Sequence, residues 1–422
     1  MDNARQRDVP QRARGTGAPV ARAHLPRGGF SGRRVRDALS AYLFIAPSTL
    51  IIGVFGIFPL FFTLYVSLFK WRFTKAGFLG LGNYAELFGA RALPLIAVAV
   101  SGAGIAAAAM LAREARGLRL AGALVLLTCS LAGLFLSFPL LAFQGDTEVF
   151  DSLRVTIWYA LLTVPPQLVI GLAVAILLTR KVRGRQAFRV IYLLPYIAPT
   201  VATAAVYELL FSLRPDSFAN QLIGLLGASP LQWLQEPRSI VSLLFGGAAL
   251  QPPASGISSH GALAMLSERI FPYWLSWARG PSLALTSIIF YSWWVFVGYY
   301  ALIYITGLGA IPRQLYEAAE MDGAGKLRSF FSITLPLLSP TTYFLTVLGV
   351  IGTFKAFTHL YVLRTTAAAG TTDPISVEIF FTFFRKARLG YASAIAIILF
   401  LTVLGLTLIQ QRTLERRVSY GD

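Results

Sequence analysis

Eight stretches of this chain run for about twenty residues or more with almost no charge, and that feature limits the fold more than any motif does. About 20 apolar residues in a helix cross the roughly 30 Å hydrocarbon layer of a bilayer, and runs of that length are too long for barrel strands. Inside a bilayer each backbone N–H and C=O must find its partner within the protein, so runs of this kind become helices. They fall at about Ala41–Leu68, Leu93–Ala112, Leu120–Phe143, Val155–Thr179, Val190–Leu213, Leu283–Leu308, Leu337–Leu363 and Tyr391–Ile409. Charged residues make up 13% of the chain, against about 25% in soluble domains. The fold class expected is therefore an all-α integral membrane protein with about eight transmembrane helices.

The chain carries 37 Lys and Arg against 19 Asp and Glu. In a soluble protein that excess suggests nucleic acid. In a membrane protein it marks the loops held in the cytoplasm, and no nucleic-acid partner is expected. With the N-terminus inside, 23 of the 37 basic residues fall on cytoplasmic segments and 13 on external ones. The expected location is the inner or plasma membrane, multi-pass, with both termini cytoplasmic. Residues 1–38 read as a disordered Arg-rich tail, because Arg, Gly and Pro dominate it and little apolar surface is available to bury. The apolar run behind it is too long for a signal peptide, so no cleavage is expected. Residues 41–88 are read as the first span and an external loop, 89–150 as a pair of spans, and 151–412 as the core. Within the core, 214–281 is an external segment. Its "SIVSLLFGGAAL" is too short to cross. If it and "ALAMLSERIFPYWLSW" formed a membrane hairpin, the count would rise to ten spans with the orientation unchanged.

Catalytic chemistry leaves no trace. His24, His260 and His359 are far apart and lack metal-ligand spacing, so no metal site and no catalytic residue is expected. Cys129 is the single cysteine and sits in an apolar run. "DGAGKLRS" fails as a phosphate loop, since Glu320 stands where Gly is needed and Leu327 where Ser or Thr is needed. No cofactor is expected on this chain.

One polar, amphipathic stretch interrupts the apolar runs: "EAAEMDGAGKLRSFFSITLPL", from Glu317 to Leu337. Leu315, Ala318, Ala319 and Asp322 lie three and four apart, which gives a short helix with a small-residue face. Glu317, Glu320 and Lys326 lie elsewhere around it. Gly323 and Gly325 permit a sharp bend. On shape alone the stretch is either a linker between two spans or a helix that fits a groove on another protein. The spacing is Glu317-Ala318-Ala319, then Gly323, then Ile333 and Leu335-Pro336. It resembles the signature loop of binding-protein-dependent ABC importer permeases. "YLFIAPSTLIIGVFGIFPLFFTLYVSLFKW", "GLGNYAELF", "RGRQAFRVIYLLPYIAPTVATAAVYELLF" and "GYASAIAIILFLTVLGL" resemble the carbohydrate branch, the maltose and glycerol-phosphate permeases. The resemblance is absent from the tail, from about Gly89–Phe150 and from about Gln235–Gly280.

That resemblance implies the type I importer permease fold with two inserted spans. It implies ABC ATPase subunits that bind ATP, a second homologous permease subunit, an external solute-binding protein, and the lipid bilayer as surroundings. The loop at 313–336 would couple to the ATPase through Glu317, Ala318, Ala319, Glu320, Asp322, Gly323 and Gly325. The solute, a sugar, oligosaccharide, polyol or sugar phosphate, would meet Tyr196, Thr200, Ser292, Trp294, Tyr299 and Thr353. Glu208 and Lys355 are charges within spans, placed either to pair with each other or, for Lys355, to meet an anionic solute. Rival readings are a permease of another importer branch, a membrane transferase that works through its external segment, and a channel without an energy source.

Overall fold

The computed structural model describes residues 32–89, 91–112, 118–179, 184–227, 229–246 and 269–414. The chain divides into two units, Met1–Leu60 and Phe61–Asp422. In the first unit α1 (Gly32–Ile51) is followed by a π-helical turn, Ile52–Ile57, and by the start of α2 (Phe58–Ser67). Helix therefore begins at Gly32, six residues before the end expected for the tail; residues 1–31 lie outside the described part.

The second unit opens with the rest of α2 and a short antiparallel hairpin, β1 (Phe69–Trp71) and β2 (Lys75–Phe78), followed by α3 (Gly82–Phe88). Next come α4 (Ala92–Ala112), α5 (Leu118–Gln144) and α6 (Thr147–Thr179). Then follow α7 (Arg185–Ile197), α8 (Thr200–Leu210), α9 (Phe218–Gly224), α10 (Ile240–Leu244) and α11 (Phe271–Ala278). The long α12 (Leu283–Ala310) leads into α13 (Arg313–Met321), α14 (Lys326–Ser329) and α15 (Leu335–Leu337). The chain closes with α16 (Ser339–Phe354), α17 (Thr358–Val362), α18 (Ile375–Phe380) and α19 (Leu389–Leu414). Among the described residues seven helices are long and apolar enough to cross a membrane, and α7 with α8 brings the number to eight if the bent pair counts as one span.

That pair corrects the straight span expected over Val190–Leu213. The axis turns by 100° between the two helices. Pro199 is the cause: it disfavours helix at the residue before it, and Ala198 is extended at φ −67°, ψ 150°. The span expected at Leu337–Leu363 is found as Ser339–Val362, with a short non-helical step between α16, which ends at Phe354, and α17, which begins at Thr358.

Helices in a bilayer gain nothing from burying oil in oil, so close contact depends on small residues. The α4–α5 pair shows it reciprocally. A Cβ on Gly133 would lie 2.6 Å from Ser101 Oγ, and one on Gly104 would overlap Ser130 Oγ. Two antiparallel Ser/Gly steps thus hold the hairpin. Gly104→Leu is expected to open it, at about 1–3 kcal/mol, read as a lower thermal midpoint in detergent. Gly102→Leu, where a Cβ meets nothing within 4 Å, should leave the midpoint unchanged.

The two segments that lack the family resemblance pack on each other. Trp274 of α11 stacks on Phe135 of α5, with centroids 5.3 Å apart, and its Nε1–H donates to the Phe135 carbonyl at 2.8 Å. Tyr273 meets Phe138 and Phe143 edge-on. In the stretch 239–275 the described helices are α10, five residues long, and the first part of the eight-residue α11, both too short to cross. Residues 247–268, where the rest of a membrane hairpin would fall, lie outside the described part.

Helix α12 forms the centre, buried against both α6 and α16. Gly171 of α6 and Gly349 of α16 both abut Tyr300 and leave no space for a Cβ.

Candidate functional site

A cavity of about 400 Å³ opens among α6, the α7–α8 bend, α12, α16 and the turn Phe357–His359. The bend places Tyr196 and Thr200 in its wall, one on each side of the break. Tyr196 stacks on Tyr299 of α12 at 4.9 Å between centroids and 23° between planes. On α12 the lining residues are Phe296, Tyr299 and Tyr300, spaced three and four apart as one helical face requires. Thr353 enters from α16. Four of the six residues expected along the pathway, Tyr196, Thr200, Tyr299 and Thr353, thus surround one cavity.

The other two do not line it. Trp294 precedes Phe296 by two positions, which is 200° around a helix. It is 43% exposed and stacks on Tyr207 instead. Ser292 is on the cavity side but fully buried behind Tyr159, whose hydroxyl is 2.8 Å from Ser292 Oγ. Glu208 and Lys355 are both exposed and form no ion pair among the described residues. Lys355 is also absent from the lining, although Thr353 and Ala356 are in it.

The polar wall residues that sequence reasoning missed include Tyr159, Gln167 and His359. Tyr159 bridges, its hydroxyl lying 2.8 Å from Ser292 Oγ and 2.7 Å from His359 Nε2. Gln167 Nε2 donates to the Ser292 carbonyl at 2.9 Å. A lone amide and a lone imidazole within apolar runs were the available signal, because such groups are costly in a bilayer unless they face a partner or a cavity. Upstream of Gln167, Pro166 has no N–H for the Leu162 carbonyl, and that carbonyl accepts Trp293 Nε1–H at 3.0 Å. The carbonyl that Pro166 leaves unpaired within α6 is thereby satisfied by α12 rather than left open.

At the far end of α12 stands the polar loop. Helix α13 shows its surroundings Glu317, Ala318, Glu320 and Met321, the last 90% exposed. Tyr316 and Ala319 are half-buried, so the expected small-residue face is split: Ala318 points out and Ala319 in. Tyr316 fixes the helix to the next segment through its hydroxyl, 2.9 Å from Thr334 Oγ1. Glu320 lines a groove of about 510 Å³ between α13, α14 and the ends of α6 and α12.

The helix ends in a Schellman turn. Ala324 N–H donates to the Ala319 carbonyl at 2.8 Å and Gly323 N–H to the Glu320 carbonyl at 3.0 Å. Gly323 sits at φ +73° and Asp322 is the C-cap. Gly325 is extended at φ −70°, ψ 163°, a conformation open to any residue, so only one of the two glycines is needed for the bend.

On the side opposite this loop, ion pairs tie loops together. Lys386 meets Glu378 at 2.8 Å and also Glu148, and Arg388 meets Glu86. Arg238 donates to both oxygens of Glu236 and holds that carboxyl below its usual pKa.

The chain is 29% identical over 262 residues to the trehalose/maltose transport system permease protein MalF of Thermococcus litoralis, covering 62% of this chain and 73% of that one. It is 28% identical over 282 residues to the sn-glycerol-3-phosphate transport system permease protein UgpA of Agrobacterium fabrum, covering 66% and 80%. A bacterial ABC transporter involved in the import of the acidic polysaccharide alginate shares the fold at a TM-score of 0.56 and 17% identity, over 91% of this chain and 98% of that one. Residues 167–420, which hold most of the cavity wall and all of the loop, match the model of the binding-protein-dependent transport system inner membrane component. This multi-pass membrane chain belongs to that family, the permeases of ABC importers.

Proposed function

We propose that the chain is one permease subunit of a sugar importer, that its cavity forms part of the path of a neutral saccharide, and that α13 couples the path to an ATPase partner. The observation that carries this reading is the polar part of the lining: tyrosines, threonines, Gln167 and His359, with no Asp, Glu, Lys or Arg among the described residues. Flat rings stack on the C–H faces of a sugar, and hydroxyl and amide groups exchange hydrogen bonds with its hydroxyls. The relatives named for trehalose/maltose and for sn-glycerol-3-phosphate define two readings. A phosphate-bearing solute needs a cation beside its path, and this lining supplies none, which favours the neutral saccharide. Helix α13 supports coupling because it stands clear of the chain while Tyr316 anchors it to the segment that leads into α16. With α13 inside the cell, a second permease subunit completes the path and a solute-binding protein delivers from outside.

The test is uptake by the chain reconstituted with its partner subunits. Neutral di- and oligosaccharides should enter only with ATP, and glycerol phosphate should neither enter nor compete. Tyr299→Ala, which removes an aromatic stack worth about 0.5–1.5 kcal/mol, should reduce uptake roughly two- to tenfold at low solute. Uptake of glycerol phosphate as fast as of disaccharide would refute the neutral assignment.

A further inference from the structure

We propose that a second cavity, at the end of α12 opposite the coupling loop, holds the phosphate of a phospholipid headgroup. It has a volume of about 390 Å³, the size of a small-molecule site rather than that of a single ion. Arg154 of α6, Arg238 before α10 and Arg279 after α11 all contribute to its lining, and among the described residues no Asp or Glu does. The carboxylates that meet Arg154 and Arg238, Asp151 at 3.1 Å and Glu236 at 2.8 Å, stand outside the lining. A guanidinium carries more N–H donors than one carboxylate can use, so both arginines can still donate inward.

Two further features favour a negative, acceptor-rich occupant. The first turn of α12, capped by Ser282 whose Oγ accepts Leu285 N–H at 3.0 Å, ends in this wall. A helix of 28 residues directs its positive end there. The indole N–H of Trp158, also in the lining, is buried without an acceptor. A buried donor left unpaired is costly, and an oxyanion would relieve that cost.

Depth separates a lipid from a free anion. Along α6 no charged residue follows Arg154 before the helix ends at Thr179. Ser282 directly precedes the apolar run of α12. The cavity therefore sits where hydrocarbon gives way to headgroups, beside Tyr273, Trp274 and Trp277 of α11, residue types that collect at that level. The oxyanion chemistry is shared by a lipid phosphate and by inorganic phosphate; the size and depth select the lipid.

The experiment titrates the purified, detergent-solubilised chain, with its partner subunits, with short-chain phosphatidylglycerol and separately with inorganic phosphate. Binding is read by native mass spectrometry and by the thermal midpoint. Saturable phosphatidylglycerol binding is expected, weakened at least tenfold by Arg279→Gln and several-fold by Trp158→Phe, which keeps the shape but removes the donor. Arg279→Lys should retain most of it, and Lys70→Gln, an exposed cation outside this cavity, should change nothing. Full displacement of the lipid by millimolar inorganic phosphate would overturn the lipid assignment. Equal binding by wild type and Trp158→Phe, or an equal loss in Lys70→Gln, would overturn the site.

Discussion

Gly298→Ala should collapse the wall of the central cavity. A Cβ at this position would lie 2.7 Å from the carbonyl carbon of Tyr192 and closer still to its oxygen. These are backbone atoms, so no rotamer change can relieve the overlap, and α7 must move away from α12. Tyr196 lies one helical turn beyond Tyr192 and stacks on Tyr299, the residue after Gly298. Separating the helices therefore pulls apart the aromatic pair that defines the cavity. The cost should exceed about 3 kcal/mol, the upper end of ordinary overpacking. The expected result is a strongly lowered thermal midpoint in detergent and uptake near background in any protein that survives. Gly309→Ala, on the same helix with nothing within 4 Å of its Cβ, is the matched control and should behave as wild type. A Gly298→Ala protein of normal stability and uptake would mean that α7 and α12 cross more loosely than described.

Gly323→Val should abolish transport while leaving the protein inserted and folded. At φ +73° a β-branched residue is strongly disfavoured. The left-handed conformation costs L-residues about 1–2 kcal/mol even without branching. The turn would open, the bonds from Gly323 and Ala324 to the last turn of α13 would be lost, and the helix would leave the position that Tyr316 sets for it. Since α13 is exposed and contributes no fully buried residue, global stability should fall little. Under the coupling reading, uptake should drop more than tenfold and the ATPase should associate less tightly. Gly325→Ala separates the two glycines: its backbone is extended and a Cβ there meets nothing, so uptake should be unchanged. If Gly325→Ala were as damaging as Gly323→Val, flexibility across the whole Asp322–Lys326 turn would matter, rather than one left-handed residue.

The loop was legible because its structure is local. A short helix that bends at Gly323 and Gly325 follows from residues within a few positions of one another, and Pro336 announces the next helix in the same way; which of the two glycines the bend needs came from the backbone angles. The helices were legible because a long uncharged run has one stable form in lipid. The break in the fifth span was carried by "PYIAPT" but hidden by hydropathy, which stays high through Pro195 and Pro199 and averages over a kink. Pathway residues on α12 were only half legible. That helix is buried around most of its circumference, so hydrophobic periodicity does not mark the face that meets the cavity. Trp294 and Tyr299 looked equally suitable, and only the placement of α7 and α16 separates them.

The amino-acid sequence by itself determined that this protein lives in a bilayer, how many helices it can send across, and the form of the loop that bends at Gly323. Each of these depends on transfer from water to hydrocarbon or on backbone sterics within one or two turns. The tertiary structure alone decided which polar groups meet: Tyr159 with His359, 200 residues away, Gln167 with the Ser292 carbonyl, and three arginines from separate segments around one cavity. A buried polar group settles where a partner from another helix satisfies it, and the identity of that partner is set by how the helices cross.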